Sequence, residues 1–153
     1  MDNQLVESWL IHNRINLFLL EWIKPDQLST SPTSKGRNVG QLLAHIHNVR
    51  LLWLKSAAPD LLEGVGKLDP DSLTHPLLVK SLQESGTAIE ILLNRAIAGG
   101  ERIKGFKPHT TAFVCYLIAH EAHHRGQAML LLRLAGHPID KKTSYGIWEW
   151  GSR

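Results

Sequence analysis

The sequence predicts an all-α protein: a four-helix bundle with a short aromatic C-terminal tail packed back on it. Apolar residues recur at helical spacing in four long segments, and polar loops containing Gly and Pro separate these segments. No segment shows the apolar–polar alternation of a strand bounded by turns. A length of 153 residues suits one domain, so we assign residues 1–153 to a single helical bundle.

The first helix is predicted from Leu5 to Ile23, where apolar residues recur every three or four positions. Pro25 ends it, because a proline cannot continue the hydrogen bonding of a helix. His12 lies on or near the apolar face of this helix. We expect this histidine to be packed or hydrogen-bonded rather than to bind a ligand.

The second helix is predicted to begin at Asn38 and to end before Pro59. Asn38 is a favourable N-cap, and Gln41 stands three residues later, as in a capping box. Two histidines follow on this helix. His45 lies on the apolar face, whereas His47 is two positions away and is expected at the surface or the rim of the site.

The third helix is predicted from about Thr74 to Ala98, with Pro76 in its first turn, where the missing N–H costs little. The pair Gly99-Gly100 ends it. Gly86 interrupts the middle of this helix. A glycine in that position predicts a close approach of another element or a bend.

The fourth helix is predicted to begin at His109 or Thr110 and to end at Gly136-His137-Pro138. Its long apolar run predicts that it is the most buried helix. The tail from Asp140 to Arg153 is too short for another core helix. Because it carries several aromatic and apolar residues, we expect it to fold back as a lid or a dimer contact; these are Tyr145, Ile147, Trp148 and Trp150.

Composition excludes several classes of function. The net charge is +3, and Lys and Arg are scattered, so no electrostatic footprint for nucleic acid is predicted. No apolar run is long enough for a membrane span, and the N-terminus lacks the basic leader and apolar core of a signal peptide. Cys115 is the single cysteine, which excludes a disulfide within the chain and fits a cytoplasmic location. We expect it to be a small buried hydrophobic residue.

Three histidines are the candidates for a metal site: His45, His120 and His124. His120 and His124 stand four residues apart and therefore share a face of the fourth helix. Each ring needs a partner there, because an unsatisfied buried polar group costs about 1–3 kcal/mol. Together with His45 they would form a three-histidine site with an open position, which is typical of catalytic metals. Alternatively, water, carbonyl groups or the rings themselves satisfy the three histidines.

The segment from His120 to His124 also matches H-E-x-x-H, in which the glutamate of a zinc metalloprotease is a general base. A hydrolase of this type, with Glu121 as the base, is therefore an alternative. Against it, Leu130 occupies the position of the third ligand, and no strand is predicted that could bind a peptide. Di-iron bundles need two E-x-x-H motifs, and this chain has one.

Two strings in the sequence resemble the DinB family of bacterial proteins. One is His120-x-x-x-His124-Arg125-Gly126-Gln127 on the last long helix, which is followed by the string L-R-L-A-G at residues 132–136. The other is the string L-L-A-H-I at residues 42–46, which contains His45 and follows the start of the second helix. The similarity runs from the second helix to the end of the fourth, and the order and spacing of the helices fit the family.

The resemblance implies a bundle that holds a divalent metal on His45, His120 and His124. Zinc and nickel both suit imidazole ligands. The resemblance also implies a homodimer. Some members are transferases or isomerases that use a low-molecular-weight thiol, such as bacillithiol or mycothiol, with a small-molecule substrate. We therefore expect a cytoplasmic metal-dependent enzyme; the alternative is a non-catalytic dimeric bundle for metal binding or protein interaction.

The remaining residues of the motif have predicted supporting roles. His123 lies about 100° round the helix from its neighbouring ligand, so we expect it beside the ligands or at an interface. Arg125 and Gln127 are predicted to hold loops or neighbouring helices, and Gly126 to permit close helix contact. Tyr116, one turn before the histidine pair, is predicted either to reach the site or to pack in the core.

Overall fold

The computed structural model describes residues 3–153, and within this range the chain forms five α-helices and no β-strand. The helices are α1 (Gln4–Glu21), α2 (Val39–Ala57), α3 (His75–Gly99), α4 (Thr110–Leu134) and the short α5 (Lys141–Gly146). Short 3-10 turns lie at Pro25–Ser29, Pro59–Leu62 and Trp150–Ser152. The predicted all-α bundle is confirmed. None of the helices in this range is long and apolar enough to cross a membrane.

Individual residues set the ends of the long helices. The Asn38 side chain accepts a hydrogen bond from Gln41 N at 2.8 Å, and the Gln41 side chain accepts one from Asn38 N at 3.1 Å. The Thr74 hydroxyl caps α3, and Gly100 ends that helix in the left-handed conformation at φ 65°. These three ends agree with the prediction. The end of α1 differs, because the helix stops at Glu21 instead of two residues later.

The long helices are not all neighbours in the order of the sequence. α1 and α2 each pack against both α3 and α4, so α1 and α2 occupy opposite corners of the bundle. Residues 22–38 connect these two corners, and their 3-10 turn packs against α2. Since α2 and α4 are adjacent, side chains from these two helices can meet although they are far apart in the chain.

The core consists of two apolar halves with a buried polar layer between them. One half is built around Trp9 and Phe113, and the other around Leu19 and Leu43. Along each long helix, polar side chains with little or no exposure lie between the residues of the two halves. They are His12 and Asn16 of α1, Arg50 of α2, Ser85 of α3 and Glu121 of α4.

The C-terminal tail packs back on α1, as predicted. Gly146 lies against the ring of Phe18, and a Cβ at this glycine would be 2.8 Å from that ring. The guanidinium of Arg153 lies over the same ring, 3.7 Å from its centroid, and Ile147 is buried. The tail is therefore anchored by Gly146, Arg153 and Ile147. The aromatic rings of the tail were expected to do this instead.

Several apolar side chains that were expected to be covered are exposed. Tyr145 and Trp148 of the tail are 62% and 74% exposed. On α4, Leu130 and Leu134 are 51% and 76% exposed, and Cys115 is also exposed. The predictions that α4 is the most buried helix and that Cys115 is a core residue are therefore wrong.

α3 approaches α1 closely at Gly86, as the sequence predicts. A Cβ at this position would lie 2.7 Å from Cγ of Asn13, which is itself buried. Trp9 Nε1 also donates a hydrogen bond to the Gly86 carbonyl at 3.0 Å. The absence of a side chain at Gly86 therefore makes room for the polar side of α1. By contrast, a Cβ at Gly126 would meet nothing within 4 Å, so the close contact predicted there is wrong.

Gly86→Ala is expected to destabilise the protein by about 1–3 kcal/mol, because the added methyl group meets Asn13 in a packed interior. Gly126→Ala is the matched control, since this second mid-helix glycine has open space around it. Alanine should stabilise α4 there by about 0.5–1 kcal/mol. Urea unfolding of both variants measures the two effects. A Gly86→Ala protein as stable as the control would show that Asn13 does not constrain this contact.

Candidate metal centre

His45 of α2 meets His120 and His124 of α4 at the boundary between these helices. One ring nitrogen from each of the three residues lies within 4.8 Å of the other two. The His45 ring centroid is 4.6 Å from that of His124 and 5.3 Å from that of His120. Among residues 3–153, this is the one group of three or more histidine, cysteine or acidic side chains placed to share an ion.

The spacing of the ring nitrogens fits a metal ion. Two nitrogens that each lie about 2.0–2.1 Å from a tetrahedral ion are about 3.3 Å apart. Nε2 of His120 and Nε2 of His124 are 3.2 Å apart. Two nitrogen lone pairs at this distance repel each other unless a proton or a cation lies between them. The pair is therefore arranged as two ligands to one ion would be.

The three rings are held in the neutral form that metal ligands require. Burial lowers the pKa of His45 to about 4, and the positive charge of Arg37 acts in the same direction. Burial also lowers the pKa of His120 and the pKa of His124. Near pH 7, each ring therefore has a lone pair available.

The two polar side chains that follow His124 in the motif have separate roles. Oε1 of Gln127 accepts a hydrogen bond from Nδ1 of His124 at 2.8 Å, which leaves Nε2 of that ring facing His120 with its lone pair. Gln127 was instead expected to hold a loop or a neighbouring helix; its spacing of three residues from His124 is the signal for this contact. Arg125 is structural, as predicted, because Nη1 donates to Oδ1 of Asn16 on α1 at 2.6 Å.

Two adjoining cavities open the histidines to solvent. The larger, of about 800 Å³, runs along α2 between Arg37 and Lys55, and His45 lies in its wall. The smaller, of about 350 Å³, is lined by His45, His120 and Tyr116. The ring of Tyr116 stacks on that of His120 with 6.0 Å between centroids, so this tyrosine reaches the site. A small molecule can therefore approach the three histidines from either cavity.

Glu121 belongs to the polar layer of the core. Its carboxylate is fully buried and accepts two hydrogen bonds of 2.7 Å from Arg50. Asn16 donates to Oε2 at 2.8 Å, and Nε2 of His12 lies 2.9 Å from the same oxygen, so His12 is hydrogen-bonded as expected. Burial opposes ionisation, but Arg50 and the hydrogen bonds hold the pKa of Glu121 at about 2. Glu121 is therefore not placed to act as the general base of an H-E-x-x-H hydrolase.

The two other histidines near the site lie in contrasting environments. His47 is fully buried, so the prediction of a surface or rim position is wrong. Its Nδ1 and Nε2 each lie 2.9 Å from a carbonyl oxygen, that of Ser81 and that of Gly66, which ties α2 to α3 and to the following loop. His123 is exposed and lies beside the ligands, as predicted, with its ring centroid 5.0 Å from that of His124.

Sequence reasoning missed Arg50 and Arg37. Arg50 is fully buried and stands one turn from both Ile46 and Leu54, on the apolar face of α2. A charge in such a position needs a buried partner, and the same signal is present at Glu121 on α4. Arg37 lies in a polar loop before α2, where no local pattern marks it as close to the histidines.

Glu121→Ala is expected to destabilise the protein by about 3–5 kcal/mol, because it leaves the charge of Arg50 buried and unpaired. Denaturant unfolding measures this loss. His123→Ala is the control on the same helix; since His123 is exposed, the change there should stay within about 0.5 kcal/mol. A Glu121→Ala protein that keeps its stability would contradict the structural role of this carboxylate.

Comparisons with known proteins agree with the fold. The sequence model of the DinB family matches residues 1–142. Among solved structures, the chain is similar to a DinB-like protein, YjoA, from Bacillus subtilis, with a TM-score of 0.62 and 23% identity over 88% of this chain and 94% of that one. No curated protein sequence matches it. The structural likeness shows the fold, and the family match covers most of the sequence. The chain therefore belongs to the DinB family.

Proposed function

We propose that this protein is a metal-dependent enzyme in which His45, His120 and His124 bind one divalent ion, zinc or nickel. The convergence of three neutral imidazoles from two helices beside an open cavity carries this proposal. Three protein ligands leave at least one position free for a substrate, as in catalytic sites. Nitrogen donors suit both zinc and nickel.

The bound ion would supply Lewis acidity, which lowers the pKa of a thiol or of water and so yields a nucleophile near neutral pH. The chain itself orients the ligands and admits the substrate. Its cavities beside the histidines have no acidic lining residue in the described range, and Glu121 is occupied by Arg50. A nucleophile that loses its proton easily is therefore favoured. We propose transfer of a low-molecular-weight thiol to a small-molecule substrate.

A non-catalytic bundle that binds metal or a protein partner is the second candidate. The same lack of an acidic side chain in the two cavities favours it, because a binding site needs no group for proton transfer. Metal content alone does not separate the two candidates, since both would hold an ion. Turnover by the metal-loaded protein does.

Replacing any of His45, His120 and His124 with alanine is expected to abolish stoichiometric zinc binding, because only two imidazoles would remain. Equilibrium dialysis followed by elemental analysis measures the zinc bound per chain. His123→Ala is the matched control, since it removes an exposed histidine beside the ligands. His47 does not suit as a control because its buried ring links α2 to α3. Equal loss of zinc in His123→Ala would place the site on another face.

The zinc- or nickel-loaded protein is expected to conjugate cysteine to 1-chloro-2,4-dinitrobenzene at least about tenfold faster than the chelated protein, a difference of roughly 1.4 kcal/mol in barrier. His124→Ala should behave like the chelated protein. Parallel assays with nitrophenyl acetate and an anilide test hydrolysis. If neither thiol transfer nor hydrolysis depends on the ion, the enzyme proposal fails and the non-catalytic bundle takes its place.

We also propose that two copies of the chain associate in the cytoplasm. Leu130 and Leu134 share one face of α4, and Leu130 lines a depression between α4 and the tail together with Trp148. Exposed apolar groups on one surface are typical of association sites. The free, exposed thiol of Cys115 suits a reducing compartment.

Light scattering on the wild-type protein, measured as it elutes from a size-exclusion column, is expected to give twice the chain mass of 17.2 kDa. Leu134→Lys should shift the mass toward that of one chain, because a charge would be buried at the contact. Leu52→Lys is the control, since Leu52 is 67% exposed but lies on α2 in the larger cavity. A wild-type mass of one chain at every concentration would rule out the dimer.

A further inference from the structure

We propose that the larger cavity binds a small organic acid with an aromatic body and that Arg37, Lys55 and Lys67 hold the acidic group. This proposal rests on the proposed function, because it takes the bound acid to be the substrate presented to the three histidines. The cavity encloses about 800 Å³, which is within the usual range for small-molecule sites, and His45 lies in its wall.

The charges around the cavity are of one sign. Three cations line it, and no acidic residue of the described range does. The ion pairs formed in that range involve other residues, so none of the three cations is neutralised by a described partner. A concave surface lined by one sign of charge concentrates oppositely charged ligands. The lining therefore favours an anion over a neutral molecule.

Arg37 is the cation placed to act next to the histidines. It directly precedes Asn38, whose capping box fixes the start of α2. Arg37 and His45 line the same cavity, so both side chains border the space that a ligand would occupy. An acidic group bound by Arg37 would therefore hold the rest of the ligand close to the proposed metal.

The loop that carries Lys67 is built onto α2. The carbonyl of Gly66 lies 2.9 Å from Nε2 of His47. Leu68 is held by two hydrogen bonds to the Asn48 side chain, of 2.9 and 3.0 Å. The residues on both sides of Lys67 are thus hydrogen-bonded to α2. The loop therefore forms a fixed wall, and Lys67 is presented from it.

The floor of the cavity is apolar and leads towards aromatic rings. Val49 and Leu52 line both the larger and the smaller cavity, and Leu52 is 67% exposed. The smaller cavity adds Trp53 and Tyr116. An aromatic body lying across Leu52 would cover this exposed side chain and meet the two rings, which favours aromatic over purely polar ligands.

The test uses the metal-free, ¹⁵N-labelled protein and a matched pair of probes, 1-naphthylacetate and its neutral amide, 1-naphthylacetamide. Titrations followed by NMR give both the affinity and the residues affected. The acid is expected to bind at least about fivefold more tightly than the amide, since one charge-assisted hydrogen bond is worth this much. The backbone N–H resonances of the protein that shift on titration with the acid should be those of α2 and of the loop around Lys67.

Arg37→Gln is expected to reduce the preference for the acid to less than about twofold while the affinity for the amide stays unchanged. Lys35→Gln is the matched control, because Lys35 is an exposed cation of the same loop that does not line the cavity. It should keep the full preference. Equal binding of acid and amide, no binding of either, or equal loss in the two variants would overturn the proposal.

Failure of this proposal can be told apart from failure of the metal-dependent function. The probe titrations need no ion, whereas the histidine variants are scored by bound zinc. Zinc binding and turnover without a preference for the acid would reject the anion site alone. A preference for the acid that depends on Arg37, in a protein that binds no zinc, would reject the metal-dependent function and keep the anion site.

Discussion

The buried ion pair between Arg50 and Glu121 is the interaction on which both the bundle and its candidate metal centre depend. Two hydrogen bonds of 2.7 Å join α2 to α4 where neither side chain meets solvent. His12 and Asn16 of α1 contact the same carboxylate, and Ser85 of α3 accepts from the guanidinium at 3.2 Å. All four long helices are thereby held in one register, because a slip would leave a buried charge unpaired, at a cost of several kcal/mol.

The same register sets the spacing of the candidate ligands. His120 is adjacent to Glu121 in the chain, and His45 precedes Arg50 by little more than one helical turn. The pair that aligns α2 with α4 in the core therefore also brings the two helices' histidines together at the outer edge. This division of one helix into a buried structural face and an accessible ligand face explains why the carboxylate beside a ligand binds Arg50, Asn16 and His12 in the core instead of taking part in chemistry at the site.

Much of the fold and part of the candidate site could be predicted from the sequence. The helix starts predicted at Asn38 and near Thr74 are confirmed, because at each a side chain caps backbone groups within one turn. The structure brings together the three histidines that spacing and family resemblance singled out. Burial was predicted less well: Leu134 lies on α4, which was expected to be the most buried helix, and is 76% exposed, whereas His47, which was expected at the surface or the rim, has no exposure. For both residues, burial depends on whether another element of the fold packs against that face of the helix.

The sequence by itself determined the four long helices, most of their ends, and the sharing of one α4 face by His120 and His124. Each of these follows from interactions between residues a few positions apart. Only the tertiary structure decided that Glu121 pairs with Arg50, that Gln127 orients a ligand, and that cations gather round one cavity. The Glu121 pairing and the cavity bring together residues that are distant in the chain. The Gln127 contact is local, but it needs the side-chain conformation that packing imposes.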